Sequence, residues 1–160
     1  MEARIITLPP IQVVGCRIEA TVEEFESGLG KDAYRSLVER KDEIAGKKHE
    51  HPILMQIYPD RPDFDPQTDS FSHLLGYEVV HPGGAPAPAQ MISHSVPEGK
   101  YVTFTHKGLE SELSHSYAYV YGEWMCETGH EPKDYDFEIW DERYEPDSPD
   151  NEIDLFIALK

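Results

Sequence analysis

Short stretches of alternating or β-branched apolar residues predict the strands of this chain. Successive side chains of a strand point to opposite faces, so a strand with one buried face carries an apolar residue at every second position. The clearest case is EIDLFIAL, which alternates strictly. Patterns of this kind predict six strands, at 11–19, 52–58, 71–80, 99–106, 136–144 and 152–159.

Two longer segments show the apolar spacing of helices instead. At the start of 22–44, Thr21 and Glu24 form the T-x-x-E pattern that caps a helix. A second helix is predicted over 109–127, and Gly129 would end it as a C-cap glycine. Its apolar stripe steps by three or four residues through Leu109, Leu113, Tyr117, Val120 and Trp124.

The predicted elements follow the order strand–helix–strand–strand, and this order occurs twice. It predicts an α+β fold with a mainly antiparallel sheet, two main helices and two β-α-β-β units. The halves would cover about 1–90 and 91–160, joined by a loop at HPGGAPAP. A length of 160 residues makes a single domain over 1–160 the natural expectation.

The segment DFEIWDERY, at 136–144, has an unusual strand pattern. Phe137 and Ile139 would point to one face, as in an ordinary strand. The other face would combine carboxylates with large rings, at Glu138, Trp140, Glu142 and Tyr144. Such a face belongs either to the surface or to the wall of a cavity.

The chain is strongly acidic, with a net charge of −17 from 31 acidic and 14 basic residues. Nucleic acids and anionic membranes are bound through clustered Lys and Arg, so we expect neither as a direct partner. An acidic surface would attract cations, although it also simply keeps a protein soluble, and composition alone favours that plainer interpretation.

The same sequence contains no signal for a metal, a cofactor or export. Cys16 and Cys126 match no metal or redox spacing, and the eight histidines, including His49 and His51, lack the i, i+4 spacing of a helical zinc site. No phosphate-binding loop is present. Since there is also no leader and no long apolar run, we expect a cytoplasmic protein without cofactors or metals.

The chain resembles a known family most clearly in its second half. The resemblance is to the GyrI-like small-molecule-binding domain, the fold of the effector-binding domain of multidrug-sensing transcription activators. It rests on YVTFTHKG (101–108), LESELSHSYAYVYGEWMCETGH (109–130), DFEIWDERY (136–144) and EIDLFIALK (152–160). In that family the helix ends in Trp-Leu-Pro-x-Ser-Gly or a relative of it, whereas here Cys126 occupies the proline position. Over 11–96 the resemblance rests mainly on element order.

The resemblance implies that the two β-α-β-β units are related by a pseudo-two-fold axis. A central cleft between them would hold aromatic or amphipathic ligands, often cationic. The buried glutamate that pairs with the charge of the ligand would be Glu138. Because strand-like sequence begins by residue 11, with no helix-turn-helix before it, we expect a stand-alone form of the domain.

Glu138 and Trp140, two positions apart on one strand, can present a carboxylate and a ring to the same ligand. The further candidates for ligand contact are aromatic: Trp124, Tyr58, Tyr117 and Tyr121. Each has a plainer alternative, since Trp124 and Tyr117 lie on the core stripe, Tyr121 flanks it and Tyr58 could cap a strand. Glu142 is expected at the surface, and Tyr144 stays undecided.

These observations predict a binding module for small, hydrophobic, cationic molecules with a buried glutamate as charge partner. One alternative is a small hydrolase that acts on reactive compounds, with the same glutamate as general base. Another is a gyrase-interacting or DNA-mimicking regulatory protein, whose partner would be a transcription- or gyrase-related protein. The sequence does not separate a hydrolytic site from a binding pocket.

Overall fold

A computed structural model describes residues 2–80 and 87–160. The predicted loop HPGGAPAP lies mostly outside these residues, at 81–86. Within the described part, the strands are β1 (Arg4–Leu8), β2 (Ile11–Ala20), β3 (Ile53–Ile57), β4 (Phe71–Glu78), β5 (Ile92–Val96), β6 (Gly99–Lys107), β7 (Pro132–Ile139) and β8 (Glu152–Leu159). None of the helices in these two ranges is both long and apolar enough to cross a membrane.

Two helical segments connect the strands. The first consists of α1 (Val22–Glu24), a π-helical turn (Phe25–Leu29) and α2 (Gly30–Glu39), followed by a 3₁₀ turn (Lys41–Glu43). The second consists of a 3₁₀ turn (Glu110–Glu112), α3 (Leu113–Ala118), a π-helical turn (Tyr119–Trp124) and α4 (Met125–Thr128). Both predicted caps are present: the Thr21 hydroxyl accepts from the Glu24 N–H at 3.1 Å, and Gly129 ends α4 in the left-handed conformation.

All eight strands form one antiparallel sheet in the order β1-β6-β8-β7-β3-β4-β2-β5. One β-α-β-β unit supplies β2, β3 and β4, and the other supplies β6, β7 and β8. The order is symmetric about the central β3–β7 pair, as a pseudo-two-fold axis requires. The α+β prediction is therefore confirmed, with a mostly antiparallel sheet and two main helices.

Two strands were missing from the prediction, and two predicted elements differ from the observed ones by more than two residues. β1 and β5 are short strands at the edges of the sheet, where each pairs with the opposite half. The predicted helix over 22–44 ends at Glu39, because the chain turns back to pair Lys47 with Val79. The predicted strand over 136–144 is observed at Pro132–Ile139 instead.

The early end of β7 has a local cause. The Asp141 carboxylate accepts the backbone N–H of Arg143 at 3.0 Å, and its carbonyl accepts the N–H of Tyr144 at 2.9 Å. This side-chain-to-backbone bonding closes a turn in place of a continued strand. Tyr144 therefore reaches the site from this turn, whereas Trp140 directly follows the strand.

Hydrophobic side chains cover both faces of the sheet. One cluster includes Leu37, Leu75, Val120 and Leu155 and lies between the sheet and the helical segments. A second cluster on the opposite face includes Phe137 and contains no residue of either helical segment. Because the central strands are buried on both faces, a polar side chain there needs a hydrogen-bonding partner.

A glycine pair allows β2 and β4 to approach closely. Gly15 faces Gly76 across the two strands. A Cβ atom at Gly15 would lie 2.2 Å from the Leu75 carbonyl oxygen, and one at Gly76 would lie 2.3 Å from the Val14 carbonyl oxygen. No residue with a side chain fits either position without movement of the backbone.

Candidate ligand-binding site

An open cleft of about 1920 Å³ lies between the helical segments and the central strands. Both helical segments line it, together with β3, β4, the start and end of β7, and the turn that follows β7. Pockets for small molecules commonly have volumes of roughly 300–1000 Å³, so this cleft has room for a large or elongated ligand.

Glu138 lies at the base of this cleft and is 2% exposed. Its Oε2 accepts a hydrogen bond from the Tyr117 hydroxyl at 2.6 Å, and its Oε1 accepts one from the Trp140 indole N–H at 2.9 Å. Trp140 follows the last residue of β7, so strand alternation places its side chain beside that of Glu138. Two fixed donors therefore orient the carboxylate.

A second carboxylate, Asp136, lies two positions earlier on the same face of β7 and is fully buried. It accepts three hydrogen bonds, from the Gln56 amide at 2.7 Å and from the hydroxyls of Tyr58 and Tyr121, each at 2.6 Å. Both tyrosines line the cleft, whereas Asp136 does not. Asp136 thus fixes, through hydrogen bonds to their hydroxyls, two tyrosines that line the cleft.

The two carboxylates belong to one hydrogen-bonded network. The Gln56 amide donates to Asp136 and also to the Tyr117 hydroxyl at 3.0 Å, and Tyr117 in turn donates to Glu138. Gln56 pairs with Asp136 across β3 and β7, so the sheet register itself sets this geometry. All donors in the network are uncharged.

Burial controls the ionisation of both acids. It raises the pKa of Glu138 to about 7, although hydrogen bonds from Tyr117 and Trp140 favour the charged form. It raises the pKa of Asp136 to about 6 against the opposing effect of its three donors. Within residues 2–80 and 87–160, no Lys or Arg forms an ion pair with either carboxylate.

Two further aromatic rings line the cleft beside Trp140. Trp140 and Tyr144 are stacked, with ring centres 4.6 Å apart and planes inclined by 2°. Tyr34, from α2, is tilted against both rings at 5.8 Å and 6.5 Å. The hydroxyl of Tyr144 donates to the Glu110 carboxylate. Tyr144, which the sequence left undecided, thus lines the cleft.

His73 is a further polar group at the base of the cleft. Its ring is stacked between Phe25 and Phe71, at 4.3 Å and 4.2 Å, and its Nε2 lies 3.0 Å from the Ala20 carbonyl oxygen. Its buried Nδ1 has no partner among the residues that the structure describes. Burial lowers the pKa of His73, so the imidazole is neutral at pH 7.

The structure brings five of the six predicted site residues to the cleft: Glu138, Trp140, Tyr58, Tyr117 and Tyr121. Trp124 lies in the core between the helical segments and the sheet, stacked on His130 at 5.3 Å. It is absent from the lining of the cleft. This position matches the packing alternative for the core stripe, and Glu142 is exposed as expected.

Sequence reasoning missed Asp136, Gln56, Tyr34 and Glu110. Strand alternation could have found Asp136, which has the same parity as Glu138. It could also have found Gln56, which has the parity of Tyr58 on the neighbouring strand. The positions of Tyr34 and Glu110 depend on how the helical segments dock, and no local pattern carries that information.

Comparison with known proteins finds a relative in sequence. The transcriptional regulator BrlR of Pseudomonas aeruginosa PAO1 is 34% identical over 164 residues, covering 99% of this chain and 56% of BrlR. This chain therefore spans little more than half the length of that relative.

Two solved structures share the fold at low sequence identity. SAV2435 bound to tetraphenylphosphonium has a TM-score of 0.73 at 12% identity, covering 100% of this chain and 94% of SAV2435. The EcmrR C-terminal domain also has a TM-score of 0.73, at 15% identity, covering 99% of this chain and 97% of that domain.

The antiparallel sheet, the paired helical segments and the aromatic cleft are those of a small-molecule-binding domain. The chain belongs to the GyrI-like small molecule binding domain family, whose match extends over residues 1–160.

Proposed function

We propose that this chain binds hydrophobic organic cations in the cleft, with Glu138 as the charge partner. The observation that carries the proposal is a buried carboxylate without a basic partner in the described part of the chain. A carboxylate in that position is costly to ionise, and a bound cation would offset the cost. The affinity of the cleft for a cation should therefore come from charge pairing at a position from which water is excluded.

The rings around Glu138 suit the apolar part of such a ligand. Four rings line the cleft and donate hydrogen bonds from their polar atoms to Glu138 or Asp136: Trp140, Tyr117, Tyr121 and Tyr58. Tyr144 covers one face of Trp140, so the remaining ring surfaces would contact a ligand. Each good cation–π contact contributes about 0.5–2 kcal/mol. Tetraphenylphosphonium, bound by SAV2435, is an organic cation with this combination of charge and rings.

Hydrolysis with Glu138 as general base is the second interpretation. A pKa of about 7 suits a base that works near neutral pH. We favour binding because both oxygens of Glu138 already accept hydrogen bonds from fixed side chains. A base would need one of these oxygens aimed at a water.

Titration with two probes of matched shape and opposite charge tests the proposal. At pH 8, calorimetry should show that tetraphenylphosphonium binds at least tenfold tighter than tetraphenylborate, a difference of about 1.4 kcal/mol. Glu138→Gln keeps the size of the side chain and removes its charge, so it should weaken phosphonium binding by about tenfold or more.

The matched control is Glu142→Gln, which removes the same charge from an exposed position in the turn after β7. It should leave both affinities unchanged. Equal binding of the two probes would contradict the proposal, and so would unchanged phosphonium affinity in Glu138→Gln. Repeating the titration at high salt separates the cleft from the acidic surface, because salt screens exposed charges far more than buried ones.

A further inference from the structure

His73 carries a buried hydrogen-bond acceptor in the wall of the cleft. The residue is 1% exposed and lines the cleft from β4. Its Nε2 lies 3.0 Å from the Ala20 carbonyl oxygen, which can only accept, so Nε2 carries the proton of the neutral ring. Nδ1 is therefore an acceptor, and no residue within 2–80 and 87–160 donates to it.

Apolar groups surround most of the imidazole of His73. The rings of Phe25 and Phe71 are stacked on its two faces, at 4.3 Å and 4.2 Å. On β2, the position paired with His73 holds Ile18, whose side chain has no donor. On β3, the paired position holds Gln56. Gln56 is thus the neighbouring side chain from which a donor would be expected.

Gln56 has no N–H group left for His73. Its amide carries two N–H groups, and they donate to the Asp136 carboxylate at 2.7 Å and to the Tyr117 hydroxyl at 3.0 Å. Gln56 pairs with Asp136 across β3 and β7, so the sheet register supports the first of these bonds. A buried acceptor without a donor is unfavourable, so a donor from outside the chain would be stabilised at Nδ1.

The strand order separates this acceptor from Glu138. His73 lies on β4 and Glu138 on β7, with β3 between them. Neighbouring strands lie about 4.8 Å apart, so the backbones of β4 and β7 are roughly 10 Å apart. Glu138 pairs with Leu54, two positions from Gln56 along β3, which adds about 7 Å along the strands. The two polar groups can therefore contact different parts of one ligand in the same cleft.

We propose that the cleft prefers organic cations that also carry a hydroxyl or N–H group away from the charged centre. Glu138 would pair with the charge, and Nδ1 of His73 would accept the hydrogen bond from the second group. A phosphonium or quaternary ammonium centre has no donor of its own, so the second group distinguishes one such cation from another. This assignment rests on the proposed function and makes His73 a specificity-determining residue.

The test compares ligands that differ only in this donor. Triphenylphosphonium salts with a meta- or para-(hydroxymethyl)phenyl group carry the hydroxyl, whereas their methyl ethers keep the oxygen and cannot donate. At pH 8, calorimetry should give at least one of the alcohols about five- to tenfold higher affinity than its ether. His73→Phe keeps a ring between Phe25 and Phe71 and removes Nδ1, so alcohol and ether should then bind equally.

Nitrogen NMR of labelled histidine detects the bond in the unaltered protein. The Nδ1 resonance of His73 should move upfield in the alcohol complex relative to the ether complex, because an unprotonated ring nitrogen that accepts a hydrogen bond becomes more shielded. The matched control is His94→Phe, which removes a partly exposed histidine on β5 that does not line the cleft. It should leave the preference for the alcohol intact.

The outcomes separate this inference from the proposed function. If alcohols and ethers bind alike and the Nδ1 resonance is the same in both complexes, the inference is wrong while cation binding stands. A preference for the alcohol that persists in His73→Phe would overturn the inference too. If neither compound binds, the proposed function itself is wrong, and the inference is wrong with it.

Discussion

Neighbouring residues of β7 point to opposite faces of the sheet, and both faces are buried. Phe137 is 3% exposed and Glu138 is 2% exposed, so burial does not distinguish them. Phe137 is stacked on Phe156 at 4.7 Å in the cluster on the face away from the helical segments. Glu138 has hydrogen-bond donors and the cleft around it. The comparison shows that burial alone does not distinguish a core residue from a site residue. The groups that surround the side chain, apolar rings or hydrogen-bond donors, do.

The neighbouring strand β3 repeats the contrast. Met55 pairs with Phe137, and both side chains belong to the apolar cluster. One position along, Gln56 pairs with Asp136 and donates to its carboxylate. The central strand pair is thus apolar on one face, whereas its other face carries Gln56 and two carboxylates beside Leu54. The polar face keeps carboxylates in an environment that opposes their ionisation. A surface that serves only for packing has no need of such carboxylates.

The largest expected effect comes from the apolar face. Phe137→Ala should lower the free energy of unfolding by about 3–5 kcal/mol, because it removes ring contacts and leaves a cavity. Phe137→Leu should cost much less, because it keeps most of the apolar volume. Urea denaturation would measure both. A loss for Phe137→Ala no greater than that for Glu138→Gln would contradict the distinction between the two faces.

On the cleft face, the substitution Glu138→Gln should stabilise the protein at high pH. The pKa of Glu138 rises from an ordinary 4.5 to about 7 in the folded chain. Between these pH values the folded state retains a proton that the unfolded state has lost, so stability falls as pH rises through this window. Glu138→Gln removes that loss and should raise the free energy of unfolding at pH 8 by up to about 3 kcal/mol.

The measurement is urea denaturation of both proteins at pH 5 and pH 8. The gain should be small at pH 5, where Glu138 is largely protonated in the folded chain, and should reach its full size at pH 8. Asp136 titrates in both proteins, so it adds the same pH dependence to the free energy of unfolding of each. A variant that is less stable than the parent protein by the same amount at both pH values would contradict the assigned ionisation.

The fold was largely predictable because its signals are local. Strict alternation at 152–159, the capping pair Thr21 and Glu24, and the αL glycine at 129 each act within a few residues. The missed edge strands β1 and β5 pair with the opposite half of the chain. Their stabilising partners are therefore distant in sequence.

The candidate site was predictable where it follows strand alternation or the apolar stripe of the second helix. Glu138 and Trp140 came from their spacing, and Tyr117 and Tyr121 came from helical positions near the stripe. The ring stack could not be anticipated, because Tyr144 reaches Trp140 through a turn that Asp141 closes. Trp124 shows the converse limit: an aromatic residue on an apolar stripe can pack into the core without reaching the cleft.

The smallest expected effect concerns Asp136, which acts through other side chains. It is fully buried and does not line the cleft, but it accepts the hydroxyls of Tyr58 and Tyr121, which do. Its pKa of about 6 means that it is ionised at pH 8 and mostly protonated at pH 5. Asparagine is uncharged, like the protonated acid. Asp136→Asn should therefore weaken tetraphenylphosphonium binding about three- to tenfold at pH 8 and hardly at all at pH 5.

Two comparisons decide whether Asp136 positions the rings or contacts the ligand. Tyr58→Phe keeps the ring and removes one hydroxyl donor to Asp136, so it should weaken binding less than Asp136→Asn does. Calorimetry at both pH values would give these affinities beside those of Glu138→Gln. If Asp136→Asn lowered the affinity at pH 8 as much as Glu138→Gln, Asp136 would be a direct partner of the ligand. The cleft face of β7 would then hold two charge partners, and the tyrosines between Asp136 and the cleft would have to move on binding.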